Sequence, residues 1–319
     1  MVLLLGLDND LHLDAMVVEL QRRGVPFVRA SPLRMNRENT KITVRIEHEQ
    51  HTTCIDTYSG SFVSDQVTAV WCRYAIEAMT AENENDLDRF ADEEFLVLLK
   101  GALLQIPPER WVNDPFAEAK ADNKPHQLTV ATECGLRVPP TIISQSRDEL
   151  ERFADTHGHC VIKPIGDVPI IDDREGKPFG SFAALLDRSK LAESSWDESC
   201  PVMLQRYVDK RSDIRVTVID GRVFSAALTH RSTEQRSVDF RNSVDLLTTQ
   251  FVLPDSVQIN LARMMTRLGV RYASCDFCID QTGLYFLEAN VAGNYLWTEL
   301  EAGLPITSAI ADVLMVPFS

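Results

Sequence analysis

The chain has 319 residues, 45% hydrophobic and 25% charged, with 14 Gly and 15 Pro, the proportions of a folded globular protein rather than a disordered or fibrous one. Its charge sums to 32 − 47 = −15 and is spread along the whole chain, a field that repels a phosphate backbone and argues against nucleic acid as the main partner. No apolar run approaches the ~18 residues of a membrane span, and seven cysteines, an odd number lying mostly in apolar segments, make no disulfide framework, so no membrane association and a reducing, cytoplasmic setting are expected.

In chain order, Val2 to Leu7 reads as a buried strand, Leu13 to Arg23 as a helix ending at Gly24, and Phe27 to Ala30 as a returning strand, a β-α-β opening. Two alternating segments, Ile42 to Glu47 and Thr53 to Thr57, precede the strand Val67 to Arg73. A long helix from Asp86 through Leu103 follows and is stopped by Pro107-Pro108. A new unit opens at Trp111 and leads into the helix Lys124 to Cys134, closed by Gly135. After the strand "VPPTII", Ser146 and Glu149 form a capping box for the helix to His157, and "CVIKPI" is the next strand. The last third is antiparallel. "IRVTVI" and "RVFSAAL" flank the turn pair Asp220-Gly221, while "YASCDFCI" and "LYFLEAN" flank Asp280 to Gly283. Helices at Asp255 to Leu268 and Pro305 to Val316 surround that second hairpin. The switch from alternating α/β to sheet plus helix predicts an α+β protein with its units arranged around a cleft.

Three groups of residues could carry chemistry. Asp276, Glu288 and Asn290 lie on the two strands of the last hairpin. Glu288 and Asn290 share a face because they are two apart, and Asp276 joins them if the register sets it opposite. Any one alone reads as a polar residue on the wet face of a strand. Together, among apolar neighbours on both sides, they suit a hard cation such as Mg²⁺, which takes oxygen ligands and holds nucleotide phosphates. The second group is cationic: Lys163 in an apolar strand, Arg215 in "DIRV", Arg241 in "DFRN" and Lys124 at a helix start. A surface ion pair would account for each singly, but a lysine between Ile162 and Pro164 needs an anion close by, and a phosphate fits. The third is Val202 to Asp213, a strand turning polar, whose backbone could meet a purine edge while an acid accepts a ribose hydroxyl.

Other signals take plainer readings. Cys275 and Cys278 lack a second pair with zinc spacing and read as packing residues. The seven His residues form no metalloprotease pattern, and no Ser occupies a nucleophile elbow. Trp71 and Arg73, at the end of a strand that should face the cleft, read as a core tryptophan and a surface arginine.

Lys124, Lys163, "QRYV" (205–208), "DIRV" (213–216), "DFRN" (239–242), Asp276 and "FLEAN" (286–290) resemble an ATP-grasp ligase in order and spacing, from Trp111 to the end of the chain. The "DIR" and "DFR" segments are similar to those of ribosomal-protein glutamate ligases. With the opening "GLDNDLHLDAMVVELQRRGVPFVRA", "AVWCRY" and the run from Trp111 to Thr141, the whole chain resembles the graspetide synthetases, the microviridin-type peptide macrocyclases. The resemblance implies an ATP-grasp fold with an N-terminal α/β pre-ATP-grasp domain over 1–115. A central subdomain over 116–204 and a C-terminal one over 205–319, which carries the metal site, would hold ATP between them. It implies ATP and Mg²⁺ as cofactors, with Lys124 and Lys163 at the α- and β-phosphates. Gln205, Arg206, Tyr207 and Val208 would hold adenine, mainly through backbone groups at Arg206 and Tyr207, and Asp213 the ribose. Arg241 with Asn242 would face the γ-phosphate and Arg215 the acyl phosphate, while Asp276, Glu288 and Asn290 would take Mg²⁺. Two departures stand out: "NVAG" lacks the proline that commonly follows the metal-binding Asn, and "DFRNS" inverts the Ser-Asn order of the glutamate ligases. The activity implied is activation of Asp or Glu side chains of a ribosomally made precursor peptide, one with a leader segment and an acidic core. Ser, Thr or Lys side chains would then close the rings, with a homodimer as the working form. Two alternatives stay open: a ligase adding an amino acid to a peptide or small acid, and a non-catalytic nucleotide- or peptide-binding module.

Overall fold

The computed structural model describes all residues except 49, 77–78, 82, 167–169, 173–176, 180–182, 187–198, 232–245 and 317–319. The first unit contains β1 (Val2–Leu5), α1 (Leu11–Arg22), β2 (Phe27–Ala30), β3 (Lys41–Glu47), β4 (Gln50–Thr57), β5 (Gly60–Val63), β6 (Ala69–Cys72), α2 (Asp86–Leu103) and β7 (Trp111–Val112). Its main sheet is parallel in the order β2-β1-β6-β7, and β3-β4-β5 form a separate antiparallel sheet. All four residues of β1 and all four of β6 are buried, as strands covered on both faces must be. The Asp10 side chain caps α1, accepting from the His12 and Leu13 amides.

The helices α3 (Pro115–Ala121) and α4 (Lys124–Glu133) lead to β8 (Thr141–Ser144), α5 (Arg147–His157), β9 (Cys160–Lys163), β10 (Ile170–Asp172), β11 (Lys177–Phe179), β12 (Ala184–Leu186) and β13 (Val202–Arg206). The central sheet runs β12-β9-β13-β8 and is antiparallel throughout, with β10 and β11 paired apart from it. Its own core is small, built on Leu150, Ala154, Cys160 and Leu204.

The last unit holds β14 (Ser212–Ile219), β15 (Arg222–His230), β16 (Leu246–Gln250), α6 (Asp255–Leu268), β17 (Tyr272–Ile279), β18 (Leu284–Asn290), α7 (Leu296–Ala302) and α8 (Ile306–Met315). Its antiparallel sheet runs β16-β15-β14-β17-β18. Asp220 and Gly221 take φ of 49° and 79°, the left-handed pair that a two-residue hairpin needs. Strand parity divides this sheet. Ile214, Val216, Val218, Ala273, Cys275, Phe277 and Ala289 join the core shared with α4 and α6. The alternate residues Arg215, Ser274, Asp276 and Cys278 face the other way, toward the central sheet. At its far end that second face is apolar again: Ile219, Ala226 and Tyr272 merge with Leu4, Met16, Leu20 and Trp71 of the first unit and with Ile306, Ile310 and Leu314 of α8. The first and last units therefore share one core.

Candidate active site

In the hairpin β17-β18, Asp276 stands directly opposite Glu288, and Ser274 opposite Asn290. The register changes between Asp276 and Phe277, where Leu287 is the extra residue of a β-bulge. The bulge lets two adjacent residues serve the same cleft, because Leu287 lines the pocket between the central and last sheets while Glu288 faces Asp276. Asp276 and Glu288 are half-buried and Asn290 is exposed, so the register puts two carboxylates and an amide on one face of the hairpin, open to an ion. This hard-oxygen set fits Mg²⁺ and offers no soft ligand.

The same register puts Arg215 of β14 opposite Asp276. Its Nη1 donates to Asp276 Oδ1 at 2.7 Å and its Nη2 to the Asn294 carbonyl at 2.9 Å. Arg215 is 7% exposed, and among the described residues its Nε meets no acceptor. Burial opposes its charge, yet the Asp276 carboxylate beside it raises the guanidinium pKa above the ordinary arginine value. A buried cation with only two of its five N–H donors spent has capacity for a further anion.

The pocket between the sheets is lined by Val161, Lys163, Gln205, Arg206, Tyr207 and Val208, with Lys210, Cys278 and Leu287 across from them. Lys163 Nζ donates to Gln205 Oε1 at 2.9 Å, and Gln205 Nε2 in turn donates to Thr141 Oγ1 at 3.0 Å, which fixes the lysine's direction. Burial holds the Lys163 ammonium below the usual lysine range, against the pull of Glu288 and Asp276. The Arg206 and Tyr207 amides are spent on the fold, donating to the Pro140 and His159 carbonyls at 2.8 and 2.9 Å. The Val208 N–H has no acceptor among the described residues. Asp213, 4% exposed, accepts from Lys210 Nζ at 2.7 Å, and Lys210 rather than Asp213 lines the pocket. The Arg206 side chain donates to the hydroxyl of buried Tyr285 at 3.1 Å. Cys275 and Cys278 are 0% and 2% exposed, and burial pushes both thiols up to about 12.

Lys124 is the first residue of α4, and one turn later Gln127 ties that helix to β18, the strand of Glu288 and Asn290. Gln127 Nε2 donates to the Ala289 carbonyl at 2.6 Å and Gln127 Oε1 accepts the Ala289 amide at 2.9 Å. One side-chain amide thus takes the place of a neighbouring strand between Glu288 and Asn290. Asn113 does the same at the base of the hairpin, binding the Tyr272 amide and carbonyl and the Val291 carbonyl. Arg73 is no surface residue: its side chain is 6% exposed because it pairs with Asp10 and donates into the turn after Asn290. That turn, reached without the expected proline, is held instead by Arg73, Tyr272 and Arg215. Gly293 is required there, since a Cβ would lie 2.6 Å from Ser274 Cβ and 2.9 Å from the Asn290 carbonyl. Arg241 and Asn242 lie outside the described residues. Gln127, Asn113 and the bulge at Leu287 are not among the features that the sequence singles out. None of the three leaves a clear signal there, since Gln127 follows Lys124, Pro125 and His126, Asn113 is followed by Asp114, and no residue type encodes a bulge.

A family model described as the ATP-grasp domain of prokaryotic glutathione synthetase matches residues 128–301, more than half of the chain. A glutathione synthetase of Synechocystis sp. is 24% identical over 200 residues, covering 61% of this chain and 54% of that protein, so the chain spans about half the length of the curated relative it matches. Among solved structures, the macrocyclase MdnC of Microcystis aeruginosa, bound with precursor peptide MdnA, superposes with a TM-score of 0.80 at 21% identity over 98% of both chains. A Chryseobacterium gregarium RiPP-associated ATP-grasp ligase, in complex with ADP and a leader and core peptide, gives a TM-score of 0.80 at 21% identity over 98% of this chain and 96% of that one. Similarity at this identity establishes a shared fold along nearly the whole chain.

Proposed function

The chain belongs to the ATP-grasp family whose model spans residues 128–301, and from that premise we propose that it is an ATP-dependent ligase closing ester or amide rings in a ribosomally made peptide. The single observation that carries this reading is the cluster formed by Asp276, Glu288 and Asn290 with the buried, half-spent Arg215 beside them. Its setting supports the peptide substrate, since the fold similarity to two peptide-modifying ligases extends over 98% of the chain and takes in the first unit.

Asp276, Glu288 and Asn290 would hold Mg²⁺, which shields phosphate charge during transfer. Lys163, directed by Gln205, and Lys124 bind the phosphates. The Val208 N–H meets adenine, and Lys210, braced by Asp213, lies at the ribose end, so Asp213 acts through it. Arg241 and Asn242 are assigned to the γ-phosphate by sequence pattern. A peptide carboxylate oxygen attacks the γ-phosphorus as the bond to ADP breaks. Arg215, through the Nη N–H groups left over from Asp276 and Asn294, stabilises the acyl phosphate that results. A Ser or Thr hydroxyl or a Lys amine of the same peptide then attacks the acyl carbon. Phosphate leaves and the nucleophile's proton is lost, so each ring removes one water. The residues here position and neutralise and supply no nucleophile.

The peptide partner would carry a leader and an acidic core, and the working form would be a cytoplasmic homodimer. Supporting self-association, the outer face of α2 leaves Leu87, Phe90 and Val97 exposed at 81%, 62% and 69% on one helical stripe.

The test is the intact mass of a candidate precursor with an acidic core, co-expressed with the protein. Loss of whole waters, absent with Glu288→Gln, is expected. A gain of one amino-acid mass would move the assignment to the second reading, intermolecular ligation, which the glutathione synthetase match favours. Water loss undiminished by Glu288→Gln would overturn the metal site.

A further inference from the structure

Arg73 sits just beyond β6, in the first unit, and contributes nothing to the nucleotide pocket. Its guanidinium is nevertheless buried and almost fully used. Nε donates to Asp10 Oδ2 at 2.8 Å, Nη1 to the Ala292 carbonyl at 3.2 Å, and Nη2 to Asn294 Oδ1 at 2.9 Å. Asp10 is spent in both directions, since its other oxygen caps α1 through the His12 amide at 2.8 Å. His12 completes the arrangement, its Nε2 lying 2.9 Å from the same Asn294 Oδ1, which requires Nε2 to carry the proton. Burial and the nearby Arg73 charge keep this imidazole neutral, lowering its pKa to about 4.

A buried ion pair is a poor way to stabilise a fold, because well-packed apolar residues of similar size do as well or better. What only a guanidinium can do is hold one carboxylate of its own unit and, with its remaining N–H groups, three oxygens of another, the Ala292 and Gly293 carbonyls and Asn294 Oδ1. These oxygens belong to the turn over Val291–Asn294. That turn starts at Asn290, its Asn294 carbonyl accepts from Arg215 at 2.9 Å, and the position of a Gly293 Cβ would be 3.1 Å from Arg215 Nη2. Fixing the turn therefore fixes both Asn290 and Arg215.

We propose that Arg73, braced by Asp10, is a positioning residue that sets the placement of Asn290 and Arg215 from outside the nucleotide pocket. This rests on the metal-dependent ligase reading, with the first unit acting as part of the apparatus and not only as a place for substrate. The strut sits at the C-terminal ends of β1 and β6, where adjacent strands of a parallel sheet lead into different connections and leave a crevice. Here that crevice is filled by a turn of the same chain.

The experiment compares the full-length protein with three variants: Asp10→Asn/Arg73→Gln, which removes both charges together so that neither is stranded; Asn294→Ala; and Asn294→Asp, which keeps the acceptor. Calorimetry measures ADP binding with and without Mg²⁺, and thermal unfolding is followed in parallel. In the double variant, ADP affinity without Mg²⁺ should stay within about twofold of the parent. The strengthening of ADP binding by Mg²⁺ should fall by about tenfold. Asn294→Ala should lose part of that strengthening and Asn294→Asp should retain it. If the double variant does not fold, the two Asn294 variants decide the matter by themselves. Strengthening equal to the parent's in a folded double variant, or equal losses in Asn294→Ala and Asn294→Asp, overturns the proposal. Failure of the ligase reading looks different: the parent itself would show no effect of Mg²⁺ on ADP, or would bind Mg²⁺–ADP normally and leave every peptide unchanged.

Discussion

Arg215 and Asp276 compensate one another. With the arginine only 7% exposed, Asp276→Asn would leave a buried cation without its counter-charge, and a loss of about 3–5 kcal/mol in stability is expected, read from urea midpoints. Replacing both by apolar residues of similar volume should recover most of that loss while abolishing turnover. Lys163 gives a different, pH-dependent signature. Burial lowers its pKa in the free protein, whereas a bound phosphate would favour the charged form and raise it again. Between those two values nucleotide binding takes up a proton. ADP affinity should therefore fall as pH rises through the depressed pKa toward the raised one, and Lys163→Arg should remove the slope. Calorimetry in buffers of different ionisation enthalpy counts the proton.

At the scale of elements, β18 is an edge strand whose outward groups are covered from α4 and the loop after it: Gln127 takes both polar groups of Ala289, and the Arg137 carbonyl accepts the Phe286 amide at 2.8 Å. Gln127→Leu leaves the Ala289 amide and carbonyl buried and unsatisfied. It should cost about 1–3 kcal/mol for each of those two groups, seen as a lowered unfolding midpoint. It should also raise the Mg²⁺ concentration needed for activity, because Glu288 and Asn290 flank the loosened residue. Much of this region is legible in the sequence. Glu288 and Asn290 share a face because they are two residues apart, and the turn pair Asp220-Gly221 announces its hairpin. The bulge at Leu287 is not, since a register shift depends on what the partner strand and the pocket require and no residue type encodes it. Arg73 misleads for a related reason: an arginine at a strand end is usually solvated, and only the folded chain brings the Asp10 and Asn294 oxygens to it. The strand β16 is likewise hidden in the sequence, because Leu246 to Gln250 lacks clean alternation and is defined by pairing with β15.

Over the whole molecule, the first and last units are joined by a common core, while the central sheet rests on four buried residues of its own. Local stability should follow that division. In native-state hydrogen exchange, amides of β8, β9 and β13 are expected to open at lower free energy than those of β1, β6, β14 and β17, and ADP should slow the central set most. Equal protection in all three sheets without nucleotide would contradict this. The shared core also bears on synthesis. Helix α8, residues Ile306–Met315, packs against α1 and completes the covering of a sheet whose first strand is Val2–Leu5. During translation β1 must wait for residues Ile306–Met315 before the cover on one of its faces is complete, although N-terminal domains commonly fold first. Until then the nascent chain keeps the cluster of Leu4, Met16 and Trp71 without its cover from α8, and its yield in a cell should depend more on chaperone supply than the stability of the finished protein suggests.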